Sequence, residues 1–525
     1  MKSRVLLLFL MFTLTVAKAQ TIEVEGGQSG VWDADTVKVM GDVKVVGSLE
    51  VLPGTTVLFD RFYGITVADG AEFLALGSAD DSIVFTVADT LGFHDEYAFR
   101  GGWNGFKVVN GRVRLDYCVL EYGKAVAHSD AEGGAMNVNG GDITINHSVL
   151  RHNTSCNRGG AIHAVNADVK MSSCCVNYNA VDTKEPVFAM YGGGLSFLKC
   201  HVDLYDMEFR GNYGPSCIGG ALSLDSCMVS LRNAVFADNV GINGGGMYMM
   251  RNNGMVNTLY NLAFYNNFSG HFAGGMALAN SSPYVYNLLV VNNVSAGVNC
   301  GGMFIYEHSS PKFYNCIFHG NAPVQDSMLA DSVQMWLWVY DDFGPEFHNC
   351  LIQGGRRLIT SDENIKVFDE IIDADPMFVD VANEDFRLQE GSPCRDAGFE
   401  FVPYDLAGGN DLGGLRRVSN GRIDIGPYEY SAAGVSQYGD GAAFAHLTGN
   451  PLRSESCLMA DLSRPQQVTV RVCSATGHTV VETAFDGQAG LQRWRLGDAV
   501  AKLAPGLYVI EVITDEGVCA IKTVK

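Results

Sequence analysis

Gly219-Gly220-Ala221-Leu222 is followed, fourteen residues after Leu222, by Phe236-Ala237-Asp238-Asn239, and this pair of phrases recurs along the chain. The double glycine starts at Gly133, Gly159, Gly193, Gly219, Gly245, Gly274 and Gly301, with intervals of 26, 34, 26, 26, 29 and 27 residues. An apolar residue three before an asparagine keeps step with it: Leu150/Asn153, Val176/Asn179, Phe209/Asn212, Phe236/Asn239, Phe264/Asn267, Val290/Asn293 and Phe318/Asn321. Two signals in phase over seven units mark a structural repeat.

A unit of about 26 residues holding three short alternating strands cannot bury its inner face alone, whereas stacked units bury a continuous core. The expected fold is therefore all-β, a right-handed parallel β-helix. Met136, Ile162, Leu195, Leu222, Met276 and Met303 should form one inward column, and the seven apolar residues before the asparagines another. The periodic asparagines read as a turn ladder, each in a left-handed corner with its amide bonded to the copy in the next coil. A second polar column, His147, Ser173, Asp206, Asn233, Asn261, Asn287 and Asn315, reads the same way. The paired glycines fit a tight bend of positive φ. Strand-like alternation from Thr21 to about Asp130, with a repeat-like phrase at Trp103-Asn104-Gly105-Phe106, places N-terminal capping strands and the first coils before Gly133.

Residues 1–19 combine Lys2 and Arg4, an apolar run and Ala17-Lys18-Ala19, the pattern of a cleaved signal peptide. No later apolar run is long enough to span a membrane. A net charge of −22 disfavours nucleic acid and anionic membranes as partners. Of the 14 cysteines, Cys118, Cys174, Cys316 and Cys350 fall at inward strand positions and read as small core residues. Cys200 and Cys227 occupy matched positions on neighbouring coils, about 4.8 Å apart, which makes them a candidate disulfide.

Residues 324–344 lose the repeat and carry Trp336, Trp338 and Tyr340, either a draped loop or the aromatic edge of a binding groove. The helix is expected to span residues 20–430, followed by a small, polar linker at 431–446. Residues 447–525 alternate in four strand-like runs and read as an immunoglobulin-like β-sandwich.

The Gly-Gly-Ala/Met and Phe-x-x-Asn phrases resemble the repeats of polymorphic outer-membrane proteins and of pectin-lyase-like β-helices. The stretch from Asp375-Pro376-Met377-Phe378 to Tyr428-Glu429-Tyr430 resembles the closing segment of bacterial exported β-helix proteins. Gly449-Asn450-Pro451, Gly506-Leu507-Tyr508 and Lys522-Thr523-Val524-Lys525 resemble the C-terminal sorting domain of type IX secretion cargo in Bacteroidetes, with Gly449 where a proline is common. That resemblance implies type IX secretion machinery as a partner, transit of the outer membrane, and a secreted or cell-surface location. Asp-Ser/Thr-apolar triplets at Asp35, Asp81, Asp89, Asp326 and Asp331 match the O-glycosylation pattern of those bacteria.

Pectin-lyase-like proteins include lyases and glycosidases, and glycoside hydrolysis needs two carboxyls on one face. The outward positions one beyond the inward column are Asn137, His163, Ser196, Ser223, Ala277 and Phe304, without a carboxylate. Lys170/Asp203 reads as a surface ion pair. Asp225 and Asp206 require a carboxyl partner from a loop, and His163 and His201 read as single exposed histidines. The sequence thus nominates no catalytic, cofactor-binding or metal-ligating set. Adhesion or binding of an extracellular polysaccharide or host surface is the expected role, with a polysaccharide lyase or glycoside hydrolase as the alternative. Function is expected in the inserts at 181–187, 251–257 and 324–344.

Overall fold

The computed structural model describes residues 20–127, 131–182, 190–297, 300–324, 333–340, 342–399, 409–417 and 422–430, and most of 445–524. The expected signal peptide, Asp326 and Asp331, nearly all of the 181–187 insert, Gly449-Asn450-Pro451, Gly506 and most of the 431–446 linker lie outside the described residues.

The chain is a parallel β-helix. Thirty strands form one continuous parallel sheet wound into coils, each strand pairing with its copies in the coils before and after. The first strands of successive coils stack in unbroken register, Met136 on Ile162, Leu195, Leu222, Met247, Met276, Met303 and Met335. All eight are fully buried, as are the seven apolar residues before the asparagines. Phe209, Phe236 and Phe264 stack face to face at 4.5 and 4.4 Å, a spacing imposed by the sheet repeat. Parallel pairing is present from the first described strand: Thr21–Trp32 pairs in parallel with Thr36–Val51, which pairs in turn with Thr56–Phe59, Ile65–Val67 and Glu72–Leu76.

The asparagines form the expected ladder. Asn239 accepts at Oδ1 from the backbone N and the Nδ2 of Asn212, at 3.0 and 2.9 Å, and its own Nδ2 donates to Phe209 O and Asn267 Oδ1. The pattern repeats from Asn153 to Asn321, where Gln334 and then Gln353 take over as acceptors. The left-handed backbone, however, belongs to the preceding residue, as at His152, Tyr178, Asp238, Asn266 and Asn292. That turn aims the asparagine inward, where its amide is shielded from water.

Some of the other corners follow the same rule of a left-handed residue followed by a small acceptor. The second polar column, from His147 to Asn315, is left-handed at every position. Cys118 N donates to Ser148 Oγ, and Cys316 N to Cys350 Sγ. Cys118, Cys174, Cys316 and Cys350 are buried thiols, as expected. The candidate bridge between Cys200 and Cys227 is corrected: both are free thiols. Cys200 N donates to Cys227 Sγ at 3.4 Å, and Cys227 N to Asn252 Oδ1. The sulfurs stand where later coils place an amide or hydroxyl oxygen, and each thiol donates to a carbonyl of the preceding coil.

The glycines also differ from expectation. Positive φ falls on the first glycine of the pair at Gly133, Gly159 and Gly219, but on the residue before the pair at Gly192, Gly244 and Ala273. The next residue is glycine in every coil from Gly134 to Gly301 and its requirement is clearance. A Cβ on Gly220 would lie 2.1 Å from Gly245 O and 2.6 Å from Val240 O.

Residues 375–430 close over the outer face of the third strands. Phe378, Phe386, Leu388, Cys394 and Ile425 bury against Ala237, Ala263, Tyr265, Leu289 and Ile317. The second polar column anchors this segment, Asn261 Nδ2 donating to Asn410 O and Asn349 Nδ2 to Ala397 O. Arg417 and Glu429 form a fully buried ion pair beside Asp411 and Asp424. Farther on, antiparallel strands between Ala445 and Val524 make a three-stranded and a four-stranded sheet sharing a core of Leu458, Val468, Val470, Tyr508, Ile510 and Val512. Among the described residues, no helix is long and apolar enough to cross a membrane.

Asn239→Ala should remove the acceptor for two buried donors and cost about 3 kcal/mol, at roughly 1–3 kcal/mol for each group left unsatisfied. Hydrogen exchange at residues 209–214 and 236–241 should rise while distant coils stay protected. Burial pushes Asp411 up to about 6 and Glu429 up to about 8, with Arg417 offsetting only part of the penalty. Both raised carboxyls favour the protonated fold. Their contribution to stability is full below about pH 4, the unfolded range, and is lost as pH rises through about 6 and 8. Exchange in residues 409–417 and 422–430, corrected for intrinsic rates, should therefore increase from pH 5 to pH 9, and Glu429→Gln should flatten the upper part of that rise.

Candidate functional site

The outward face of the first strands is where the repeat relaxes. Its two outward positions read Asn137 and Asn139, His163 and Val165, Ser196 and Leu198, Ser223 and Asp225, Tyr248 and Met250, Ala277 and Ala279, Phe304 and Tyr306, then Trp336 and Trp338. Inward neighbours of these residues stay apolar throughout, so variation here leaves the core unchanged. Short strands that follow the ladder asparagines, such as Cys217–Ile218, Val240–Asn243 and Phe268–Phe272, stack into a second parallel sheet alongside. Phe272 and Cys300 from this side pack against Tyr248, Ala277 and Phe304. The middle of the face is therefore buried, while Trp338 beyond it stays exposed.

At the polar end, His163 is 1 % exposed, which corrects its reading as a single exposed histidine. Its Nδ1 lies 3.2 Å from Ser196 Oγ and its Nε2 lies 3.6 Å from Glu132 Oε2. Burial, helped by the Arg158 charge, pushes His163 down to about 4, so the imidazole is neutral at pH 7. Arg158 sits over the Tyr191 ring at 4.9 Å with its Nε 3.6 Å from Glu132 Oε1. A cavity of about 100 Å³ adjoins this group, lined by Arg158, Tyr191, Ser196, Ser223, Asp225 and Arg251.

Asp225 receives a cation, not a second carboxyl: Arg251 holds it with both Nε, at 2.7 Å, and Nη2. Arg251 belongs to the 251–257 insert, which Asn252 and Asn257 fasten to the previous coil by accepting Cys227 N and Val229 N. Asp206 lies elsewhere, at a left-handed corner where Ser173 Oγ donates to it at 3.0 Å. Lys170 and Asp203 are neighbours in register, but the ion pair at Asp203 is with Arg232, at 3.2 Å. His201 pairs with Asp168 at 3.4 Å on the exposed second face.

At the aromatic end, Trp336, Trp338 and Tyr340 do not lie on a draped loop. Met335–Val339 is a strand in register with Met303–Glu307 and adds one more coil. Trp336 and Trp338 are stacked at 6.1 Å, Phe304 and Tyr306 at 4.7 Å, and the Tyr306 and Tyr248 hydroxyls are hydrogen-bonded. Trp338 is 63 % exposed and Tyr340 57 %. His308 packs against Tyr340 at 4.7 Å, and its Nδ1 is 2.9 Å from Asn280 Oδ1. Asn280 Nδ2 donates to Glu307, and Ser282 Oγ donates to Asn253 Oδ1 at 2.8 Å. Exposed rings thus stand beside a fixed network of amides, a carboxylate and an imidazole.

A second cavity, of about 150 Å³, lies beside Phe93, Tyr122, Lys124 and Cys156. Its ammonium is committed to structure: Lys124 Nζ donates to the carbonyls of Gly92, Asp95 and Arg100 and fastens that loop to the coil. Among the described residues, no group of three or more His, Cys, Asp or Glu side chains is placed to hold a metal ion. The chain matches no protein-family model, and no curated protein is significantly similar to it.

Sequence reasoning named His163, Ser196 and Asp225 but missed Glu132, Arg158, Tyr191, Tyr306 and His308. These lie just before a glycine phrase or at the end of a first strand, a recurrent position that the period of the repeat could have flagged. Arg251→Ala should leave Asp225, now 7 % accessible, with the Ser226 hydroxyl but no cation. A half-exposed arginine makes the expected loss about 1–2 kcal/mol. The Asp225→Asn/Arg251→Met double variant should recover most of it in thermal melts.

Proposed function

We propose that this protein is an exported β-helix that binds an extracellular polysaccharide at the aromatic end of its first-strand face. The exposed, ordered aromatic shelf of Trp338 and Tyr340 beside His308, Asn280, Asn253 and Glu307 carries this reading. Flat apolar rings offer stacking surface to the C–H faces of sugars, and prepositioned polar groups can pair with ring hydroxyls. Both kinds of group are carried on paired strands or pinned turns, so little order has to be gained on binding.

Export and surface delivery rest on the sequence: the signal-like residues 1–19, the closing segment, and the C-terminal strands whose end phrases resemble a type IX sorting domain with an immunoglobulin-like sandwich. In this reading the helix is pectin-lyase-like in architecture and works at the cell surface or after release. A glycosidase built on the carboxyls of this face is disfavoured by spacing. Glu132 and Asp225 lie three coils apart, roughly 14 Å at about 4.8 Å per coil, beyond the range in which two carboxyls flank one glycosidic bond.

Affinity electrophoresis of the purified mature protein against a polysaccharide panel should show retardation by at least one polymer. Trp338→Ala and Tyr340→Ala should each weaken it about tenfold, while Tyr205→Ala on the second face should not. Equal retardation of all variants would place binding elsewhere. For export, deletion of residues 447–525 should leave the protein in the periplasm, and unchanged surface delivery would contradict the sorting role.

A further inference from the structure

We propose that Ser196, His163 and Glu132 form an ester-hydrolysing centre that removes short O-acyl groups from the polysaccharide held on the neighbouring aromatic shelf; the substrate assignment rests on the binding reading above. Three observations meet here. A nucleophile, a base and an orienting carboxylate lie in sequence on adjacent coils, with Ser196 Oγ 3.2 Å from His163 Nδ1 and His163 Nε2 3.6 Å from Glu132 Oε2. This is the geometric signature of an activated hydroxyl. A cavity of about 100 Å³ opens beside Ser196, too small for a drug-sized ligand and sufficient for a short acyl group. Within the described residues, Ser223 Oγ beside that cavity makes no hydrogen bond, and Arg158 Nε makes none beyond its 3.6 Å ion pair with Glu132 Oε1. Buried donors without an acceptor are uncommon, and at a reaction site they are available to a developing oxyanion.

The chemistry closes with water as the only co-reactant. Ser196 Oγ attacks the ester carbonyl carbon and its proton passes to His163 Nδ1. With its other proton on Nε2, toward Glu132, the imidazole becomes a cation that the carboxylate stabilises. The tetrahedral oxyanion is met by Arg158 and Ser223. Collapse breaks the bond between the carbonyl carbon and the sugar oxygen, and His163 returns its proton to that oxygen. Water, deprotonated by His163, then attacks the acyl-Ser196 carbonyl, releasing a carboxylic acid and restoring the hydroxyl. Glu132 acts as a positioning residue. Ser196 lies five coils from Trp338, roughly 24 Å along the axis, so one extended chain can contact both.

The test uses the mature full chain with p-nitrophenyl acetate, an O-acetylated polysaccharide and a fluorophosphonate probe. Acetate release and probe attachment at Ser196, mapped by mass spectrometry, are expected. Ser196→Ala and His163→Gln should reduce hydrolysis at least 100-fold with unchanged melting. Glu132→Gln should lower kcat about tenfold with KM unaltered, and Ser223→Ala should lower kcat alone. Since His163 is buried, Ser196→Cys serves as a variant that keeps volume and should retain labelling by a thiol-reactive acyl donor. No labelling at Ser196, or hydrolysis equal in wild type and Ser196→Ala, overturns the proposal. Polysaccharide binding without ester cleavage refutes this centre and leaves the shelf standing. Cleavage of p-nitrophenyl acetate at Ser196 without polysaccharide binding upholds the centre and removes the shelf as its substrate guide.

Discussion

A buried side-chain amide that must find two donors and two acceptors is the constraint on which the coil depends. From Asn153 to Asn321 each ladder asparagine satisfies it by reaching to the coil before and the coil after. A coil out of register by one residue would strand those groups in an apolar interior. Apolar columns favour stacking but tolerate slippage, since Met, Leu and Ile are near equivalents. The ladder does not. It fixes the register within which the methionines and phenylalanines then pack, and the left-handed residue ahead of each asparagine makes that inward aim possible.

With corners and core committed to the coil, function is restricted to side chains the coil does not use. Outward positions of the first strands are such a set. They change from Asn, His and Ser at one end to Tyr, Phe and Trp at the other without a shift in register. The inserts add what strands cannot, as Arg251 does for Asp225. The closing segment meanwhile packs on the outer side of the third strands, with Arg210 reaching both Asp238 and Glu384.

The coil was legible because its signals repeat: glycine, apolar residue and asparagine each recur in phase, and the inward columns followed directly. Details at single positions were less so. Positive φ was placed on Asn153 and its copies when it falls one residue earlier, because sequence shows that a corner exists without showing which residue turns it. Cys200 and Cys227 met the distance for a bridge, yet thiols serve there as hydrogen-bonding corner atoms. Trp336 and Trp338 were divorced from the repeat because the glycine phrase is absent before Met335, where Gln334 takes over the ladder's role. The grouping of His163 with Glu132 was hidden for another reason: Glu132, Arg158 and Tyr191 stack in register just before the glycine phrases, a column whose residue types differ from coil to coil.

The replacement of asparagine by Gln334 and Gln353 at the far end of the ladder has a wider meaning. A parallel coil is in principle endless, since each one offers the next a row of free backbone groups and a waiting amide. This chain interrupts that invitation twice. At one end a longer side chain and the 3₁₀ turn at Gly355–Leu358 alter the shape a further asparagine coil would need. At the other, Thr21–Trp32 presents a glycine-rich edge with two register shifts and the acidic Glu23 and Glu25. Irregular, charged edges resist pairing with another chain. What separates a solenoid of fixed length from a growing fibril of the same lattice is, in this protein, a handful of residues at its two ends.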